Sequence, residues 1–220
     1  MACGLTQVPG AAPLDAVCSV TARHFDRPAL ETFPGGDSLA SVVETAVAPL
    51  IVDRMSTGGL WLGEAALIGG NGSSWRQTSI VLGGLDVTDP VRTGTPLARI
   101  APDAVANLVV ATTMLPASVG GPGAVLTMVP KAPAGSRHAA AEVAFTPVSL
   151  QSTNALPGAP SIAAYARHHE WSGELGSPLG SRAGLFVAGR RASTDRVERD
   201  DPSRLRTGVG SLFASATGCA

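Results

Sequence analysis

The spacing of apolar residues changes period several times along the chain. In "DSLASVVETAVAP", Leu39, Val42, Val43, Ala46 and Val47 recur at helical spacing. Asp37 or Ser38 can accept the first free amides of that helix, and Pro49 stops it. A short strand is expected over residues 51–53. Residues 58–74, "GGLWLGEAALIGGNGSS", are punctuated by glycine and read as loop. "QTSIVL" then alternates with period two, and Gly83-Gly84 separates it from "LDV". That pattern predicts a hairpin with a primed turn, in which both turn residues take positive φ.

"APDAVANLVVATT" predicts a short helix entering at Pro102, with Asp103 at its positive end, running into a buried strand over 108–111. "PASVGGPGAVLTMV" reads as a Gly/Pro loop and a further strand over 124–129, closed by Pro130. After "KAPAGSR" the texture changes. "HAAAEVAFTPV", "HHEWSGEL", "AGLFVAGRR" and "TGVGSLFAS" read as antiparallel strands, with Ala141, Val143 and Phe145 on one face of the first. Residues 1–36, rich in Pro, Gly and Ala, are expected to form a flexible arm. The fold class is therefore α+β: a small mixed sheet with two short helices over 37–131, then a few antiparallel strands over 132–220.

Composition agrees with short strands and many turns. The 220 residues hold 26 Gly and 17 Pro, about a fifth of the chain, while charged residues are only 15%. A net charge of -1 gives no electrostatic case for a nucleic-acid partner. Cys3, Cys18 and Cys219 show no CxxC spacing, so unpaired thiols are expected rather than a zinc site or a disulfide framework. No apolar run reaches the length of a membrane-spanning helix. The opening residues lack the basic and apolar regions of an export signal.

The order of segments resembles the plug domain of TonB-dependent outer-membrane receptors, followed by the first strands of their barrel. The capped helix "SLASVVETAVAP", the run "GGNGSSWRQTSIVLGGLDVTDP" with "GTPL", and "DAVANLVVATTMLPASVGGPGAVLTMVPK" follow one another as in that family. "GSPLGSRAGLFVAG" resembles its next turn and aromatic strand. The likeness runs from about residue 37 to residue 213. Its plug motif falls on Gly69, Gly70, Gly72, Ser73, Gly83, Gly84, Asp86, Pro90, Pro116, Ser118, Gly120, Gly121, Gly123 and Lys131. Asp15, Val17, Val20, Thr21 and Ala22 match a degenerate energy-coupling box, the TonB box. The chain departs from the family pattern at Asn107, where an arginine is usual, at Thr113-Met114, and at Val119.

The resemblance implies gating and ligand contact in energy-coupled uptake of a scarce nutrient. It implies the cell outer membrane, the TonB protein, the rest of the β-barrel and a small unidentified ligand as partners, and no cofactor. A transporter of this kind needs roughly 22 strands, and about 9–11 residues per strand make roughly 200 residues of wall. Residues 132–220 supply about four strands, so the expectation is an incomplete and non-functional N-terminal fragment. The alternative is a soluble small-molecule-binding module or enzyme whose Gly-rich loops line a cleft. Continuation of the reading frame into barrel-like sequence would discriminate between the two.

No catalytic or metal-binding set emerges from the residues. Asp86 and Asp89 flank a tight turn and are read as turn caps. "GGNGSS" lacks the Lys-Ser/Thr of a phosphate loop. His168 and His169 are adjacent, so on a strand they face opposite ways and are read as a solvated pair. The charges between Arg182 and Arg206 balance and are read as a polar connection between strands.

Overall fold

The computed structural model describes residues 22–32, 39–53, 66–98, 100–112, 123–133, 136–150, 163–180, 183–198 and 204–218. Two compact units divide the chain. The first comprises residues 1–60 and 65–132, and the second residues 61–64 and 133–220.

In the first unit, β1 (Ala22–Phe25), β4 (Ser79–Leu82), β5 (Leu85–Asp86), β6 (Val105–Ala111) and β7 (Val125–Pro130) form a sheet in the order β1-β6-β7-β4-β5. The β4–β7 pair is parallel and the other pairs are antiparallel, so the sheet is mixed. Alternation sets its core face: Phe25 on β1, Leu108 and Val110 on β6, Leu126 and Met128 on β7 and Ile80 on β4 are all buried. Helix α2 (Leu39–Ala46) contributes Val42 and Val43 to the same cluster, and Val47 follows it. These are positions of the apolar stripe predicted at helical spacing. A two-stranded sheet, β2 (Leu50–Val52) with β3 (Ile68–Gly70), adds Leu50, Val52 and Ile68 to that cluster.

Several expectations are corrected here. Residues 22–32 are not part of a loose arm: β1 pairs with β6, and α1 (Arg27–Thr32) follows directly. The Asp26 carboxylate accepts the Ala29 amide at 3.0 Å, and Arg27 donates to the carbonyls of Pro102 (3.1 Å) and Val105 (3.4 Å). The helix expected at Pro102 is a single 3-10 turn (Pro102–Ala104), and strand begins at Val105. β-Branched Val105, Val109 and Val110 suit the pleated ladder with β7 better than a helix. Strand β3 lies inside the stretch read as loop, and Asn71-Gly72 forms its turn.

The second unit is a four-stranded antiparallel sheet in the order β11-β10-β9-β8. Its strands are β8 (His138–Pro147), β9 (Ala163–Pro178), β10 (Ala183–Glu198) and β11 (Arg204–Gly218). Strand β10 runs through most of the residues read as a polar connection. Arg190, Arg191 and Asp195 are strand positions on alternating faces, paired on both sides. Among the described residues the four strands close no barrel.

Candidate functional site

Four of the predicted motif residues, Gly69, Gly70, Gly72 and Ser73, lie at one tight turn. Gly70 and Ser73 exchange backbone hydrogen bonds of 2.9 and 3.0 Å, and the Ser73 hydroxyl donates to the Gly70 carbonyl at 2.7 Å. Between them Asn71 (φ 51°) and Gly72 (φ 79°) are both left-handed, the signature of a primed hairpin turn. Asn71 Nδ2 reaches back to the Thr112 carbonyl at 3.3 Å. A Cβ on Gly70 would stand 2.1 Å from the Pro49 carbonyl oxygen, so only glycine fits there. The 3-10 turn Trp75–Gln77 comes next. Gly69 lies under its first amide, Gly123 passes Gln77 so closely that a Cβ would stand 2.3 Å from its carbonyl oxygen, and Gly94 packs on the Trp75 ring. Sequence reasoning found Gly69, Gly70, Gly72, Ser73 and Gly123, but missed Asn71, Trp75 and Gly94. The dipeptide Asn71-Gly72 was a legible signal; the packing on Trp75 was not.

Gly83 (φ 56°) and Gly84 (φ 86°) form the predicted primed turn between β4 and β5, and Gly83 donates its amide to Met128 at 2.9 Å. Asp86 and Asp89 do cap turns. Asp86 accepts the Thr88 amide at 2.9 Å, and Asp89 accepts the amides of Val91 (3.0 Å) and Thr93 (3.1 Å) and the Thr93 hydroxyl. The Thr93 hydroxyl above all, then the Val91 and Thr93 amides, holds the Asp89 carboxyl below the usual carboxylate range. Pro90 is the second residue of the turn closed by the Arg92 amide on the Asp89 carbonyl (2.8 Å), and the Lys131 amide bonds to Ala104 at 2.8 Å. Of the energy-coupling box, Ala22 lies on β1 opposite Ala111. Asp15, Val17, Val20 and Thr21 lie outside the described residues, as do Pro116, Ser118, Gly120 and Gly121.

The two faces of the four-stranded sheet differ sharply. One face buries a polar cluster: His168, Glu170, Arg190 and Thr194 are each at most 4% exposed. His168 Nδ1 lies 2.9 Å from the Thr194 hydroxyl, and its Nε2 lies 3.3 Å from Glu170 Oε2. Arg190 Nε donates to Glu170 Oε1. The solvated histidine pair is corrected accordingly. His169 is exposed, but His168 sits fully buried between Thr194 across the ladder and Glu170 two residues along its own face. Beside the cluster His138 stacks on Phe186, passing over Gly176 where a Cβ would strike its ring. Among the described residues no three His, Cys, Asp or Glu side chains converge to hold a metal.

The opposite face is exposed and mostly apolar. Register places Ala139, Leu175, Val187 and Ala214 in one row, Ala141 and Leu212 in the next, and Val143 beside Trp171 in a third. Leu185 and Val187 thus share a face with Ala141, Val143 and Phe145. Val143, Phe145, Trp171, Leu175 and Leu212 are between 53% and 80% exposed.

The fold, assembled from these parts, is that of the plug and opening barrel strands of TonB-dependent outer-membrane receptors. Solved structures agree. The outer-membrane transporter YddB of Escherichia coli superposes with a TM-score of 0.61 at 12% identity, covering 89% of this chain and 30% of that one. The siderophore receptor PirA of Acinetobacter baumannii gives 0.56 at 14% identity, over 82% of this chain and 25% of that one. A mutant of the ferric enterobactin receptor PfeA of Pseudomonas aeruginosa, solved with enterobactin, gives 0.55 at 17% identity, with coverages of 80% and 25%. The chain thus spans about a quarter to a third of the length of these structures. No protein-family profile and no curated protein sequence matches it.

Proposed function

We propose that the chain is the plug and first wall strands of a TonB-dependent receptor, acting in energy-coupled uptake of a small nutrient across the outer membrane. The observation that carries this reading is the four-stranded sheet itself: a face that buries His168, Glu170, Arg190 and Thr194 beside Phe186, Ala188 and Ala192, behind an exposed and mostly apolar one. In water such a sheet would bury the apolar face. In a barrel wall the apolar face meets lipid and the polar face lines the lumen. The structural neighbours that bind or import siderophores support a chelated nutrient as the ligand class. Transport in this reading requires further strands, because four strands enclose no lumen.

In this reading the first unit is the gate. Its core is held by apolar burial and its loops by tight glycine turns. Residues 15–22 would add as an extended strand to the TonB protein. No side chain is asked to do covalent chemistry. Titration of the full chain, reconstituted in lipid, with the periplasmic domain of TonB tests the coupling. Saturable binding that Val20→Pro abolishes is expected, since proline removes a ladder donor. Equal binding by the variant, or none by the parent, contradicts it.

A further inference from the structure

The exposed face of the four-stranded sheet changes character along its strands. At the end near the 179–182 connection its rows are mostly apolar: Leu185 between Ser177 and Ala216, then Ala139, Leu175, Val187 and Ala214, then Ala141 and Leu212. The next row sets Trp171 between Val143 and Arg191. Beyond it His169 stands between Phe145 and Ser193, and then Arg167 between Pro147 and Asp195. Trp171, Arg191, His169 and Arg167 are all exposed. Within a few residues the surface passes from mostly aliphatic, through an indole, to two arginines and a histidine.

We propose that this rim, Arg191 with Arg167 and His169 beside Trp171, binds the phosphate groups of anionic lipids at one surface of the membrane. The inference rests on the lipid-facing reading of the sheet given above. A lipid-facing arginine is strongly disfavoured at the midplane of a bilayer and nearly neutral at its edge. Tryptophan settles at the same edge, with its ring among the headgroups. The Trp171–Arg191 pair therefore marks the depth at which the apolar face gives way to headgroups. Phosphate is the anion available at that depth, and a guanidinium engages two of its oxygens at once. Asp195, directly across from Arg167, offsets part of that charge, so Arg191 carries most of the attraction.

The full chain with Trp61→Phe and Trp75→Phe leaves Trp171 as its single tryptophan. It is bound to vesicles of phosphatidylcholine alone or mixed with phosphatidylglycerol, some carrying bromine at defined acyl depths. The expected result is quenching of Trp171 by shallow bromines in both, with partition about fivefold stronger into the anionic vesicles for each engaged arginine. That gain should fall with added salt. It should shrink in Arg191→Gln, shrink further with Arg167→Gln added, persist in Arg191→Lys, and be untouched by Arg76→Gln in the other unit. Quenching without any anionic gain, or a gain that survives the double Gln variant, overturns the rim and leaves the lipid-facing sheet standing. An unquenched Trp171 in both vesicles overturns the lipid-facing reading itself, and the rim with it.

Discussion

Two sheets of the same chain follow opposite rules. The five-stranded sheet hides Leu108, Val110, Leu126 and Met128 together with Val42 and Val43 of the helix. The four-stranded sheet hides His168, Glu170, Arg190 and Thr194 beside Phe186, Ala188 and Ala192, and displays Val143, Phe145, Trp171, Leu175 and Leu212. Both use the same period-two alternation, so the pattern alone does not say which face is inside. The difference lies in what each face meets. Apolar burial at about 25 cal/mol per Å² drives the first sheet. A buried ion pair contributes little net stability but is costly to break, so the second sheet needs an environment that favours its apolar exterior.

The sharpest contrast lies between two neighbouring residues of β9. Glu170→Ala should destabilise the detergent-solubilised chain by about 3–5 kcal/mol, because it removes the buried carboxylate that both Arg190 and His168 contact. Trp171→Ala, one residue on and facing out, should stay within about 0.5 kcal/mol in the same denaturation series. Equal losses at the two positions would break the comparison. In the first unit Leu108→Ala should cost about 2–5 kcal/mol through lost burial and a cavity, read from the unfolding midpoint of the same chain.

Much of the first unit was legible in the sequence because its signals are local. The stripe from Leu39 to Val47, the Gly83-Gly84 turn and the alternation of "QTSIVL" each depend on neighbours within a few residues. What stayed hidden depends on distant ones. The Arg27 guanidinium finds its carbonyl partners at Pro102 and Val105. His168 finds Thr194, and Gly123 finds Gln77. The Asp26 cap of α1 was readable, since an Asp two residues before a proline is a helix start, yet the surrounding Pro/Gly-rich composition obscured it. The strand predicted over "AGLFVAGRR" runs on to Glu198 through residues read as polar connection, and Arg190 and Thr194 on it face a buried side, against the usual expectation for polar residues.

Smaller effects sharpen the account of the first unit. Gly84→Val should cost about 1–2 kcal/mol, because a β-branched residue does not tolerate a φ of 86°. An unchanged midpoint would remove the primed turn. The Asp89 cap is the weakest device. Its carboxyl titrates below the ordinary value of 3.8, so its stabilisation is full above that pH and is lost as pH falls through the lower folded value. Thr93→Val should move that titration back toward 3.8, as followed by the Asp89 carboxyl carbon signal in NMR. A titration that does not move would show that the Thr93 hydroxyl contributes nothing.

The central claim is that the apolar face of β9 and its neighbours meets lipid. Single nitroxide labels placed in turn at positions 170 to 175 of the chain reconstituted in bilayers test it most directly, by their collision rates with dissolved oxygen and with a water-soluble nickel chelate. The account predicts a period of two: positions 173 and 175 rich in oxygen and poor in nickel collisions, position 171 intermediate at the headgroup edge, and positions 170, 172 and 174 shielded from oxygen. Uniform accessibility along the strand, or nickel access at 173 and 175, would contradict it.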